Sequence, residues 1–87
     1  MKKVVFDEKA FEQLYSLGLE NPKKMVKTLA LIDAARRTPF SGIGKPEPLK
    51  HALSNHWSRR IDEKHRLVYS VSDDVITILS CKFHYEE

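Results

Sequence analysis

At 87 residues the chain is long enough for one small domain and no more. An apolar fraction of 41% beside 31% charged residues excludes a disordered polymer, and no apolar run approaches the roughly 20 residues that cross a bilayer. The formal charge is +3, and one stretch accounts for it: Gly42 to Arg66 carries Lys45, Lys50, Arg59, Arg60, Lys64 and Arg66 against Glu47, Asp62 and Glu63. A positive patch confined to one segment is how a protein holds a polyanion.

The first apolar run, Lys2 to Phe6, is β-branched and reads as a strand. Asp7 is an N-cap for a helix from about Glu8 to Leu17, with Phe11, Leu14 and Tyr15 on its buried face and Gly18 as its stop. Asn21-Pro22 opens a second helix, with Asn as cap and Pro at the first helical position. Its apolar stripe is Met25, Val26, Leu29, Ile32 and Ala35. Arg36 and Arg37 close it on the helix dipole, and Pro39 ends it. The N-terminal run meets acids too soon for a signal peptide, and Cys81 has no partner for an internal disulfide. Both point to a reducing, cytoplasmic setting.

Pro39, Gly42, Gly44, Pro46 and Pro48 then follow in quick order, and no helix or central strand passes through such a segment. Three strands come after it: Trp57 to Asp62, Arg66 to Ser72 and Val75 to Phe83, joined by short turns at Glu63-Lys64 and Asp73-Asp74. The order β-α-α-β-β-β predicts a small single-domain α+β fold, residues 1–87, with two helices packed on one face of an antiparallel sheet. Alternation puts Arg60 opposite in direction to Trp57, Arg59 and Ile61. It puts Arg66, Val68 and Ser70 on one face, and Leu67, Tyr69 and Val71 on the other. Lys82 and His84 share a face of the last strand, Phe83 and Tyr85 the other.

Three groups could carry chemistry. Glu47 stands between two prolines, which hold its carboxylate where the backbone puts it, and a general base needs that control first. A solvated acid between Lys45 and Lys50 is the plainer reading. His84 can exchange a proton near neutral pH, and Tyr85 beside it could stack on a base or pack on the core. Arg59, Arg60 and Arg66 lie on adjoining strands, and guanidinium groups grip phosphate bidentately. At most one of Arg59 and Arg60 can share a face with Arg66, and periodicity favours neither. The histidines match no zinc spacing and Cys81 has no CxxC partner, so neither a metal nor a cofactor is expected. Trp57 reads as a core or edge anchor, and Tyr69 as core. An acid, a base and a guanidinium suffice to cleave RNA through its own 2′-hydroxyl.

At GKPEPLKH, WSRRI, HRLVYSV and CKFHY the chain resembles the YoeB/Txe family of toxins from type II toxin–antitoxin systems, within the RelE-like superfamily. The resemblance implies a RelE-like microbial ribonuclease fold. It implies a metal-independent endoribonuclease (an mRNA interferase) that cuts mRNA in the ribosomal A site of the 70S ribosome. Cleavage by 2′-hydroxyl attack would leave 2′,3′-cyclic phosphate and 5′-hydroxyl ends and inhibit translation. On the matching positions Glu47 would be general base and His84 general acid. Arg66 would stabilise the pentacoordinate phosphorus, Tyr85 would place the substrate, and Lys50 and Arg60 would hold phosphates. Lys45 and Arg59 complete the expected phosphate-binding set. The family implies a cognate YefM/Axe-like antitoxin with an acidic, disordered segment, and its precedent allows a homodimer. Many relatives end at His-Tyr, whereas Glu86 and Glu87 follow here. The alternative is a non-catalytic basic module that binds nucleic acid with an antitoxin as a transcriptional repressor.

Overall fold

The computed structural model describes residues 1–50 and 55–82. Strand β1 (Lys3–Phe6) leads into helices α1 (Glu8–Glu20) and α2 (Pro22–Arg37). The strands β2 (Glu47–Pro48), β3 (His56–Arg60), β4 (Arg66–Val71) and β5 (Val75–Ser80) follow. They form one five-stranded sheet in the order β1-β5-β4-β3-β2. The expected α+β architecture stands, with two changes in the sheet, one of them the added two-residue edge strand β2. β1 pairs parallel with β5, and the other neighbours are antiparallel, so the sheet is mixed. The chain leaves β1 through a helical hairpin, which carries it across the sheet and lets it re-enter at the far edge.

Local signals set the helix ends. Asp7 caps α1 by accepting from the Lys9 amide at 3.2 Å, whereas Asn21 opens α2 without a side-chain bond and Pro22 supplies the preset first residue. At the other end of α2, Asp33 holds Arg36 at 2.8 Å and Arg37 at 3.3 Å. Gly18 does not stop α1. The helix runs on to Glu20, and the glycine instead admits α2, since a Cβ there would fall 2.5 Å from the Met25 sulfur.

The buried stripe of each helix differs from the expected one. In α1 it is Ala10, Leu14 and Leu17, while Phe11 and Tyr15 stand exposed. In α2 it is Thr28, Leu31, Ile32 and Ala35, with Val26 and Leu29 outside. Small residues at Ala10 and Ala35 bring the helix backbones close to the sheet, a gain that larger side chains at those points would forfeit. Against these stripes lie Ile61, Leu67, Tyr69, Val71, Ile76, Ile78 and Cys81. Burial among apolar neighbours pushes the Cys81 thiol up to about 11, so it is a protonated core group.

Among the described residues the register breaks once. Val68 faces Ser80 but Tyr69 faces Ile78, leaving Leu79 as an extra residue on β5. Such a bulge inverts the parity of the residues beyond it. Ser80 therefore joins the Val68 face and Cys81 returns to the core. β5 ends at Ser80, short of the expected Phe83.

Candidate active site

The outer face of the sheet, away from the helices, is assembled from the edge inward. The segment after α2 is anchored by Arg59, which is fully buried. Its Nε donates to the Tyr69 hydroxyl at 3.0 Å, its Nη1 to the Ile43 carbonyl at 2.9 Å, and its Nη2 to the carbonyls of Thr38 (2.7 Å) and Ser41 (2.8 Å). The Tyr69 hydroxyl donates onward to the Pro39 carbonyl at 2.7 Å. Burial pushes the Tyr69 phenol up, with Arg59 opposing. Arg59 is therefore corrected from a phosphate ligand to a structural clamp. Its guanidinium satisfies loop carbonyls and has no path to solvent.

With the loop fixed, Gly44 passes close to α2. A Cβ there would meet Leu31 Cδ2 at 2.7 Å, and the φ of +83° suits only glycine well. The Arg60 amide donates to the Gly44 carbonyl at 2.7 Å. From there the Lys45-Pro46-Glu47-Pro48 run lies along β3, with Glu47 opposite Ser58 and Pro48 opposite Trp57. As an edge strand it needs no amide donor on its outer side, so its prolines are tolerated. Phe40 covers Trp57, with ring centres 4.9 Å apart.

This register sets Glu47 beside Arg66. The carboxylate Oε1 accepts from Arg66 Nη1 at 3.1 Å, and the same Nη1 lies 3.4 Å from the Ser58 hydroxyl. The Glu47 side chain is 60% exposed and that of Arg66 only 17%, so the acid faces solvent from a guanidinium seated in the sheet. Arg60 pairs directly with Arg66 across β3 and β4 and shares its face. Two like charges opposite one another destabilise a sheet unless counter-charge is supplied. Glu47 supplies part of it, and an anionic ligand would supply more.

Lys45 and Lys50 flank this short strand, both exposed, and Lys45 adopts a left-handed φ of +51°. His84 and Tyr85 lie outside the described residues. Sequence reasoning missed Ser58, which is buried on the outer face beneath Arg66. Its place one residue before the arginine pair was the available signal. Beside the site, Asp62 folds the β3–β4 connection. Partial burial raises its carboxyl, but the amides of His65 and Lys64 and the Lys24 ammonium outweigh this and hold it below the usual range.

A carboxylate held beside a guanidinium, on an open sheet face backed by two helices, belongs to a small α+β domain with the RelE-like fold. A model of the YoeB-like toxin of bacterial type II toxin–antitoxin systems matches residues 6–85, and the chain belongs to that family. It is 51% identical over 84 residues to the toxin YoeB of Escherichia coli K12, covering 95% of this chain and 99% of that one. A YoeB/ParE toxin from Agrobacterium tumefaciens superposes with a TM-score of 0.90 at 39% identity, over 95% of this chain and 99% of the other. The YoeB of Staphylococcus aureus, solved as a dimer, matches at 0.88 and 41%, over 97% and 98%. In a heterotetrameric YoeB–YefM complex the score is 0.84 at 41%, over 98% and 99%.

Proposed function

We propose that this chain is a ribosome-dependent mRNA endoribonuclease, the toxin of a toxin–antitoxin pair, acting in the cytoplasm without a metal. The observation that carries the reading is the 3.1 Å contact of Glu47 with Arg66 on an open, positively charged sheet face. Glu47 removes the proton from a ribose 2′-hydroxyl, and the oxygen attacks the adjacent phosphorus. Arg66, already held by Glu47 and Ser58, supports the negative charge that gathers on the phosphoryl oxygens. His84 returns a proton to the departing 5′-oxygen, Tyr85 orients the substrate, and Arg60, Lys45 and Lys50 hold the neighbouring phosphates. The products are a 2′,3′-cyclic phosphate and a 5′-hydroxyl, and DNA, lacking the attacking group, is not cut.

The inhibitor is a YefM-like antitoxin. The basic face calls for an acidic segment that folds on contact, and the Staphylococcus aureus relative is found in complex with YefM. A homodimer is the second assembly, as in the dimer of that relative. The test is to map the ends of mRNA cut in a translating extract. Cyclic phosphates at ribosome-positioned sites are expected. Intact mRNA, with antitoxin-dependent DNA binding retained, would mark a repressor module instead.

A further inference from the structure

We propose that the cleft between α2 and the loop before β2 is a nucleotide subsite that seats one base of the RNA strand beside the cleaved phosphodiester. This rests on the nuclease reading above. The cleft encloses about 260 Å³. Its floor is Ala30 and Leu31 of α2 with Ile43 and Gly44 of the loop, and its rim is Lys27, Lys45 and Arg60. That volume lies just below the roughly 300 Å³ at which ordinary ligand pockets begin, so it suits one base rather than a helix or a peptide. An apolar floor under a cationic rim matches a nucleotide, whose flat base and charged phosphate ask for those two surroundings.

Two neighbouring clefts show that the charge pattern is particular to this one. The larger, of about 550 Å³, contains Asp62 and Glu63 beside Lys24, Lys64 and Arg60. The groove between β1 and α2 contains Asp33 beside Arg36. Among the described residues no carboxylate lines the proposed subsite. Its backbone is also unusual. Gly44 is the close approach that shuts the floor against Leu31, and Lys45 sits on the rim at a left-handed φ that non-glycine residues seldom adopt. Arg60 links the cleft to the reacting centre, because it lines the rim and also stands opposite Arg66. An RNA strand whose phosphate lies on Arg66 passes Arg60 to place an adjacent base over Ile43.

The test is a binding cycle. A short RNA made uncleavable with 2′-O-methyl groups is titrated, by fluorescence anisotropy, against wild type, Ala30→Glu and Lys27→Glu. Both positions are exposed on α2, so the fold is retained, and unchanged melting temperatures check this. Each variant should bind about tenfold more weakly. An abasic site next to the scissile position, on one side only, should weaken wild type by a similar factor and leave Ala30→Glu unaffected. Variants that bind like wild type, or abasic losses that simply add to theirs, overturn the subsite. So does a loss of affinity for an acidic antitoxin peptide with RNA binding unchanged. Cleavage of translated mRNA by wild type is scored separately. Its absence, with the cycle intact, removes the nuclease reading and leaves an RNA-binding cleft.

Discussion

Arg59 and Arg60 are neighbours in sequence, yet they serve the two faces of β3 in opposite ways. Arg59 points into the core, where the Tyr69 hydroxyl and three loop carbonyls surround its guanidinium. Arg60 lies on the exposed face, opposite a second arginine. Inside, the charge is satisfied by fixed protein dipoles and holds the Thr38–Lys45 loop. Outside, Arg60 stands opposite Arg66, a charge pattern that suits a polyanion. The same side chain thus serves folding on one face and, in the proposed function, binding on the other. Strand parity makes the choice.

The comparison is sharpest in stability. Arg59→Ala removes four donated bonds at once and leaves three part-buried loop carbonyls and the Tyr69 hydroxyl without that donor. A loss of about 3–5 kcal/mol in chemical denaturation is expected. Arg60→Ala should move stability by no more than about 0.5 kcal/mol while weakening RNA binding. Equal destabilisation by the two would break the contrast. Leu14→Ala and Tyr15→Ala repeat the test on α1. The first opens the core and costs about 2–4 kcal/mol, and the second belongs with the small effects below.

Asp62→Ala should cost about 1–2 kcal/mol near neutral pH, because the carboxylate accepts from two amides and pairs with Lys24. Its folded pKa lies below the ordinary value, so its contribution is present above about pH 3.9 and fades as pH falls through the folded value. Denaturation curves of wild type and variant should converge in acid. A constant gap would contradict the assignment. Tyr15→Ala is the smallest effect, within about 0.5 kcal/mol, since the ring is exposed.

Much of this was legible in the residues. Asp7, Pro22 and Pro39 marked helix ends, and period-two alternation correctly separated Arg59 from Arg60 and Leu67 from Arg66. The rest depended on tertiary contacts that no local pattern states. The parallel pairing of β1 needs the path of the helical hairpin. The exposure of Phe11 and Tyr15 follows from the close approach that Ala10 permits, and alanine, which buries far less apolar surface than either aromatic, does not mark the buried face. Gly18 reads as a stop until Met25 is seen against it. The extra Leu79 reverses parity in β5 without a glycine or proline to announce it. In the site, the KPEP run pointed to Glu47. Its partner Arg66 was set by register between strands, and family resemblance named it before the pairing did.

The most direct measurement compares wild type with Glu47→Gln in a translating extract, counting new 5′-hydroxyl ends on mRNA. Glu47→Gln keeps the shape of the side chain and removes its capacity to accept a proton. Cleavage should fall by about 10²-fold or more, with the melting temperature unchanged. Equal rates of cleavage by the two proteins would contradict the account.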